Sequence, residues 1–300
     1  MKLLVVEITP NFSLAPYLAE RLQGHSVYRE QHVQNEYMWK YVKTLCPDVI
    51  FVDFCDENAV VLSKRLGELP KKPRLIVRLH RYEAQDQYLK RVFWPNVSDL
   101  IVVSPKFEEI VGAKMAKLCP EVRLHLIPNG VDLTKFQLQD EASMDDSTVA
   151  YVGYLNKKKG PALLRAVMAS LADRQFHVGG TFQDEEIELY FRDLELPNVR
   201  YFGWVRTEEF LRGKRFIIST SVTESFGMGV AEAMAMGLTP LVHAWPGADT
   251  IWPRECLWNT FEELGAIKPK DPAWCREWVE TRYSMGRCID KFVNLLEGPP

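Results

Sequence analysis

The chain lacks a one-sided charge. Its 37 Lys+Arg and 40 Asp+Glu nearly cancel, and its halves balance too: residues 1–143 hold 19 basic against 18 acidic side chains, the remainder 18 against 22. Neutralising several phosphates takes a basic excess, so nucleic acid is not an expected partner. The N-terminus has no long apolar run. After Met1 and Lys2 the stretch Leu3–Val6 is interrupted by Glu7, which suits a strand and is too short for a signal-peptide core or a membrane span. The six cysteines (Cys46, Cys55, Cys119, Cys256, Cys275, Cys288) form no C-x-x-C pair, and no histidines stand at zinc-finger spacing. Scattered free thiols fit a reducing compartment, so the expectation is a cytoplasmic protein without a structural metal or a disulfide framework. Low-complexity tracts are missing as well.

What is present is a repeated alternation. Three hundred residues with 47% hydrophobic content suffice for two α/β domains. Short β-branched runs alternate with helix-length segments, which predicts parallel strands joined by crossover helices. In the first half the strands are expected at Leu3–Ile8, Val49–Asp53, Leu75–Leu79, Leu100–Val103 and Leu124–Ile127. Ser13, and Ser104 with Pro105, stand where helix starts prefer an oxygen or a proline. A polar stretch without periodicity around Gln137–Ser147 is the linker candidate, giving domains 1–143 and 144–300. The second half then restarts with strands at Thr148–Val152, Phe176–Val178, Arg200–Phe202, Phe216–Ser219 and Leu241–Val242. A helical segment from Pro272 to about Leu296 has no strand after it and could pack back on the first domain.

The sharpest segment is TESFGMGVAEAMAMG, Thr223–Gly237, following the strand FIIST. It therefore sits at the carboxyl end of a sheet, where open α/β folds bind ligands. Gly227 and Gly229 bracket the start of a helix, whose free amides and positive dipole end can face an anion without side-chain obstruction. Glu224 precedes that helix and Glu232 lies within it. A carboxylate is a poor phosphate ligand but a good acceptor for the hydroxyl pairs of a sugar or ribose. Upstream, VGYLNKKKG (Val152–Gly160) is another strand and turn, with Gly153 at the turn and Lys157, Lys158 and Lys159 beside it. A lysine run is commonly a solvated face. At the strand end of the same domain it becomes a means of neutralising a diphosphate.

IPNGVD (Ile127–Asp132), VGYLNKKKG and ESFGMGVAEAMAMG, in that order, resemble the signature segments of the group 1 retaining glycosyltransferases, from about Leu100 to Gly247. The resemblance implies a GT-B fold: two Rossmann-like, doubly wound α/β domains facing across a cleft. It implies a hexosyltransferase that uses a nucleoside-diphosphate sugar, retains anomeric configuration and needs no metal or other cofactor. No Asp-x-Asp stands near the motif to hold one. By the same resemblance Glu224 contacts the donor sugar and Glu232 the ribose. Ser225, Phe226, Gly227 and Met228 hold the diphosphate through their backbone. Lys159 balances its charge, with Gly153 and Lys157 also on the donor side, and His80 reaches the transferred sugar. Catalysis would rest on His80, Lys159 and Glu224.

Two positions depart from the family. Tyr154 stands where an arginine is usual, which leaves Lys157 or Lys158 as its replacement or donor binding weak. The first loop, TPNFSLAP (Thr9–Pro16), has two prolines and no glycine. Asn11 and Phe12 there are the acceptor-side candidates. The acceptor itself, whether glycan, lipid or small molecule, is not legible, nor is oligomeric state. The cluster Lys64, Arg65, Lys71, Lys72 and Arg74 leaves peripheral membrane contact open. A non-catalytic nucleotide-sugar-binding protein and a nucleotide-sugar epimerase or phosphorylase of the same fold are the alternatives.

Overall fold

The computed structural model describes residues 1–7, 13–31, 35–80, 88–192 and 196–298. They fall into two compact units: Met1–Pro128 with Gly286–Pro300, and Asn129–Met285. Each unit is built on one six-stranded, wholly parallel sheet.

The first sheet comprises β1 (Lys2–Glu7), β2 (Ser26–Gln31), β3 (Val49–Val52), β4 (Arg74–Leu79), β5 (Asp99–Val102) and β6 (Arg123–Leu126) in the spatial order β2-β1-β3-β4-β5-β6. Helices between the strands cover both faces, so the central strands carry unbroken apolar runs, VIFV in β3 and LIV in β5, every residue buried. Trp39, Phe51, Leu62 and Val77 are among the fully buried side chains, each such apolar group contributing roughly 1.5–3 kcal/mol. β2 escapes the sequence reading because an edge strand has one neighbour and no need of such a run: its SVYREQ is mostly polar. Ser13 does not cap the following helix, Ala15–Arg21. The fully buried carboxylate of Glu7, at the end of β1, does so from a distance, accepting from the amides of Leu14 (2.7 Å) and Ala15 (3.3 Å), from Ser13 Oγ (2.6 Å) and from Arg29 Nε (2.8 Å). Ser104 is the N-cap residue of the helix Pro105–Leu118, but its side chain makes no capping hydrogen bond; Pro105 sets the start.

The second sheet comprises β7 (Asp145–Val152), β8 (Gln175–Gly179), β9 (Val199–Gly203), β10 (Lys214–Ser219), β11 (Thr239–His243) and β12 (Leu257–Trp258) in the order β12-β11-β10-β7-β8-β9. The chain runs outward from β7 through β9 and then in the other direction from β10. The strand order therefore switches between β7 and β10, the place where a crevice opens at the carboxyl ends of such sheets. The two-residue β12 was also beyond the sequence reading.

The border between the units lies at Pro128/Asn129, not at 143/144. The polar stretch read as a linker is fastened to the second unit. Gln139 accepts from the Gly213 amide (2.6 Å) and donates to the Met236 carbonyl (3.3 Å), while Arg276 donates to the carbonyls of Phe136 (2.5 Å), Leu133 (3.2 Å) and Ala235 (2.9 Å). Polarity alone does not distinguish a tether from a segment whose backbone is satisfied by side chains.

The final helical segment divides at Ser284, whose extended backbone (φ −64°, ψ 148°) separates Pro272–Tyr283 from Met285–Glu297. The second of these groups with the first unit, Phe292 lying 5.0 Å from Phe51 between ring centroids. In the basic cluster, Arg65 pairs with Glu36 and Glu68, Lys71 with Asp48 and Arg74 with Asp99, so most of that charge is already balanced. Among the described residues no helix is long and apolar enough to cross a membrane.

Candidate functional site

The turns after β7 and β10 are bolted together. Asn156 caps a short helical turn, Lys157–Lys159, accepting from the Lys158 amide (3.1 Å). Gly160 then takes a left-handed conformation (φ 62°), and a Cβ there would stand 2.2 Å from the Thr220 carbonyl oxygen, so only glycine lets the two turns touch. Thr220 Oγ1 donates to the Lys159 carbonyl (2.9 Å), and the Val222 amide to that of Lys158 (3.1 Å). This clamp aims Lys159 at Glu224: its ammonium forms an ion pair with Glu224 Oε2, while Oε1 accepts from the Ser225 amide (3.0 Å). Both side chains are largely buried, 26% and 10% exposed.

Beyond Glu224 the helix Met228–Ala235 begins at Gly227 (φ 94°) with no side-chain cap. The amides of Val230 and Ala231 bond back to the Gly227 carbonyl. Those of Gly227, Met228 and Gly229 meet no acceptor among the described residues, which leaves three aligned donors at the positive end of a helix. Lys159, Gly227, Gly229, Ser219 and Ser221 line one narrow hollow at the switch point, about 20 Å³ in volume. Phe226 is fully buried against Trp252 and Tyr283, so only its backbone can face a ligand.

Of the three lysines, only Lys159 lines the hollow. Lys157 is exposed and pairs with Asp184 at 3.4 Å, and Tyr154 is 54% exposed, its carbonyl accepting from the Tyr151 hydroxyl. Gly153, at φ 141°, follows β7 and its amide donates to the Gly179 carbonyl (3.0 Å); the close approach there depends on Gly180, where a Cβ would stand 1.9 Å from the Gly153 carbonyl oxygen.

The carboxyl group of Glu232, on the same helix as the free amides, has no hydrogen-bond partner among the described residues. Burial pushes its carboxyl up to about 7, Lys135 drawing it down and Glu208 adding to the rise; Lys135 and Glu208 are themselves paired at 3.4 Å. Neither was singled out in the sequence, because their approach to Glu232 is purely tertiary. A carboxyl raised above its ordinary 4.5 holds its proton better folded than unfolded, so stability falls as pH rises from about 4.5 to 7. Glu232→Gln is expected to flatten that part of a melting-temperature profile; an unchanged slope would refute the burial of this charge.

His80 stands in the first unit, just past β4. Its ring stacks on Phe54 (centroids 4.4 Å apart, 25° between planes), with Nε2 3.7 Å from Asp53 Oδ1. Arg78 and Asp53, both fully buried, pair at 2.8 Å beneath it. Burial lowers the imidazole's pKa, against the pull of Asp53, which favours the neutral ring. Asp53 ends the apolar run VIFV, and a charge in that position was the sequence signal for this couple. Asn11 and Phe12 lie outside the described residues.

A paired parallel-sheet architecture with an amide cradle at a switch point defines the class, and comparison gives it a name. The chain has the GT-B glycosyltransferase fold. HepE of Anabaena, solved in complex with UDP, superposes with a TM-score of 0.77 over 100% of both chains at 14% identity. Sucrose-phosphate synthase from Thermosynechococcus elongatus gives 0.75 over 99% of this chain and 98% of that one at 17% identity. The lipopolysaccharide outer core galactosyltransferase WaaB, in its apo form, gives 0.69 over 99% of each at 14%. Residues 146–260, within the second unit, match the family model "Glycosyl transferases group 1". Comparison with curated protein sequences gives no match.

Proposed function

We propose that the protein is a retaining glycosyltransferase that moves a hexose from a nucleoside-diphosphate sugar to a glycan, lipid or small-molecule acceptor. One observation carries this reading: Lys159, Glu224 and the unpaired amides of Gly227, Met228 and Gly229 gather at the carboxyl ends of β7 and β10. The amides and the Lys159 ammonium stabilise negative charge as it develops on the departing diphosphate, so the leaving group needs no metal. Glu224, released from Lys159 when the diphosphate takes the ammonium, accepts hydrogen bonds from the donor sugar. Glu232 accepts from the ribose hydroxyls and does so best as a carboxylate, so donor affinity rises with pH through about 7. A neutral His80 serves as a hydrogen-bond partner for the transferred sugar.

UDP is the first base to test, since HepE has been solved with UDP and glucose. The purified protein is expected to gain melting temperature with UDP, to release UDP from UDP-glucose or another UDP-sugar, and to yield a product with the donor's anomeric configuration by NMR. Absence of stabilisation by UDP-, GDP-, ADP- and TDP-sugars alike would refute it. Tyr154 and the diversion of Lys157 to Asp184 favour one rival, a protein that binds the donor without turnover. Stabilisation without nucleotide release would select that rival.

A further inference from the structure

At the amino end of the first unit's sheet, three neighbouring strands begin with Arg74 of β4, Asp99 of β5 and Arg123 of β6; Asp99 and Arg123 are paired in register, and Asp99 is level with Ile76, two residues past Arg74. Asp99 is fully buried and both its oxygens are taken. Oδ1 accepts from Arg123 Nε (2.9 Å) and lies 2.8 Å from His125 Nε2; Oδ2 accepts from Arg74 Nε (2.8 Å) and Arg123 Nη2 (3.1 Å). Beside this knot opens a cavity of about 620 Å³, lined by Arg74, Arg123, His125 and, from the helix Met285–Glu297, Lys291 and Asn294.

Among the described residues, Arg74, Arg123 and Lys291 line this cavity, with the Asp99 carboxylate between the two arginines. Arg74 spends only Nε on Asp99, and neither its terminal nitrogens nor Lys291 Nζ has an acceptor among the described residues. The strand edge adds donors. β6 is the last strand of its sheet, and the amides of Arg123 and Ile127 bond inward to Ser98 and Val102. By strand alternation the amides of Leu124 and Leu126 face outward, toward the cavity they line. A guanidinium fork pinned by a buried carboxylate, a flexible ammonium and fixed amides is suited to a tetrahedral oxyanion. The volume falls within the range of small-ligand sites, larger than a bare ion requires.

We propose that this cavity binds a phosphate group, free or as the ester of a small molecule, through Arg74, Arg123, Lys291 and the outward amides of β6. The site stands apart from the transfer reading, since Arg74 and His80 are separated by the length of β4, roughly 20 Å.

Calorimetric titration of the full chain with inorganic phosphate and with glucose 6-phosphate tests it, at fixed ionic strength. Binding is expected to weaken at least fivefold in Lys291→Ala, an exposed change, and about tenfold in Arg74→Lys, which keeps the charge and loses the fork. Lys159→Ala removes phosphate bound at the donor cradle, and the heat that remains, from the first-unit cavity, is expected to report an unchanged affinity. Tighter binding of glucose 6-phosphate than of phosphate identifies an ester site, and equal binding identifies a site for the free ion. No binding of either probe, affinity unchanged in both first-unit variants, or affinity abolished by Lys159→Ala alone would each overturn the proposal. Thermal unfolding of each variant establishes that it is folded.

Discussion

Lys159→Ala is expected to lower kcat/KM for the nucleotide-sugar donor about 10²–10³-fold, the usual penalty for removing one preorganised group from a site where charge develops. The effect is large because, among the described residues, Lys159 is the one cation that lines the hollow, while Lys157 is turned to Asp184. Lys159→Arg retains a charge but has a planar fork in a hollow shaped for a slim ammonium, so partial recovery is expected. Glu224→Gln keeps the size and the oxygen facing the Ser225 amide while removing the ion pair. It should lose turnover while UDP still stabilises the fold. Steady-state assays of UDP release, paired with unfolding curves, make the comparison. Wild-type turnover in folded Lys159→Ala would remove this lysine from the reaction.

Arg78→Met is expected to destabilise the first unit by about 3–5 kcal/mol, because it strips the partner from a carboxylate that no water reaches. Burial alone would raise the Asp53 pKa, but Arg78 and His80 outweigh it and hold the carboxyl below its ordinary 3.8. In the native protein this group therefore adds stability above that value, which is lost as pH falls through the depressed pKa. Without Arg78 the sign reverses: the acid form is the one that tolerates burial, so the variant should recover stability in mild acid. Hydrogen exchange followed by mass spectrometry should locate the loss in β1, β3 and β4. A double variant, Asp53→Leu with Arg78→Met, should regain most of it. A single variant as stable as the parent across pH would show that Asp53 finds another partner.

Much of this architecture could be read from residues in a row. Continuous runs such as VIFV and FIIS must lie between covering helices, so the inner strands were legible, and the glycine-bearing turn after FIIST was placed at a carboxyl strand end; the switch between β7 and β10 needed the strand order. The edges were not legible, since SVYREQ carries the weak pattern of a strand with one neighbour and β12 is two residues long. In the candidate site, the meeting of Lys159 with the segment of Glu224 was legible through the order of their segments along the chain. The sorting of the lysine run into Lys159 lining the hollow and Lys157 in a surface ion pair was not, because it depends on where Asp184 lies in space. Nor were the Lys135–Glu208 pair beside Glu232 and the knot around Asp99, whose members lie far apart in sequence and meet only once strands are laid in register.

The return of the chain at Gly286 makes Asn129–Met285 an insertion in genetic terms, with one continuous stretch of codons for the second unit and two separated stretches for the first. A shortened gene ending before Gly286 would therefore remove Phe292, which is 1% exposed and packs on Phe51 of the same first unit. The injury would fall on the half encoded at the start of the message, while the half that carries Lys159 and Glu224 would keep all of its own residues.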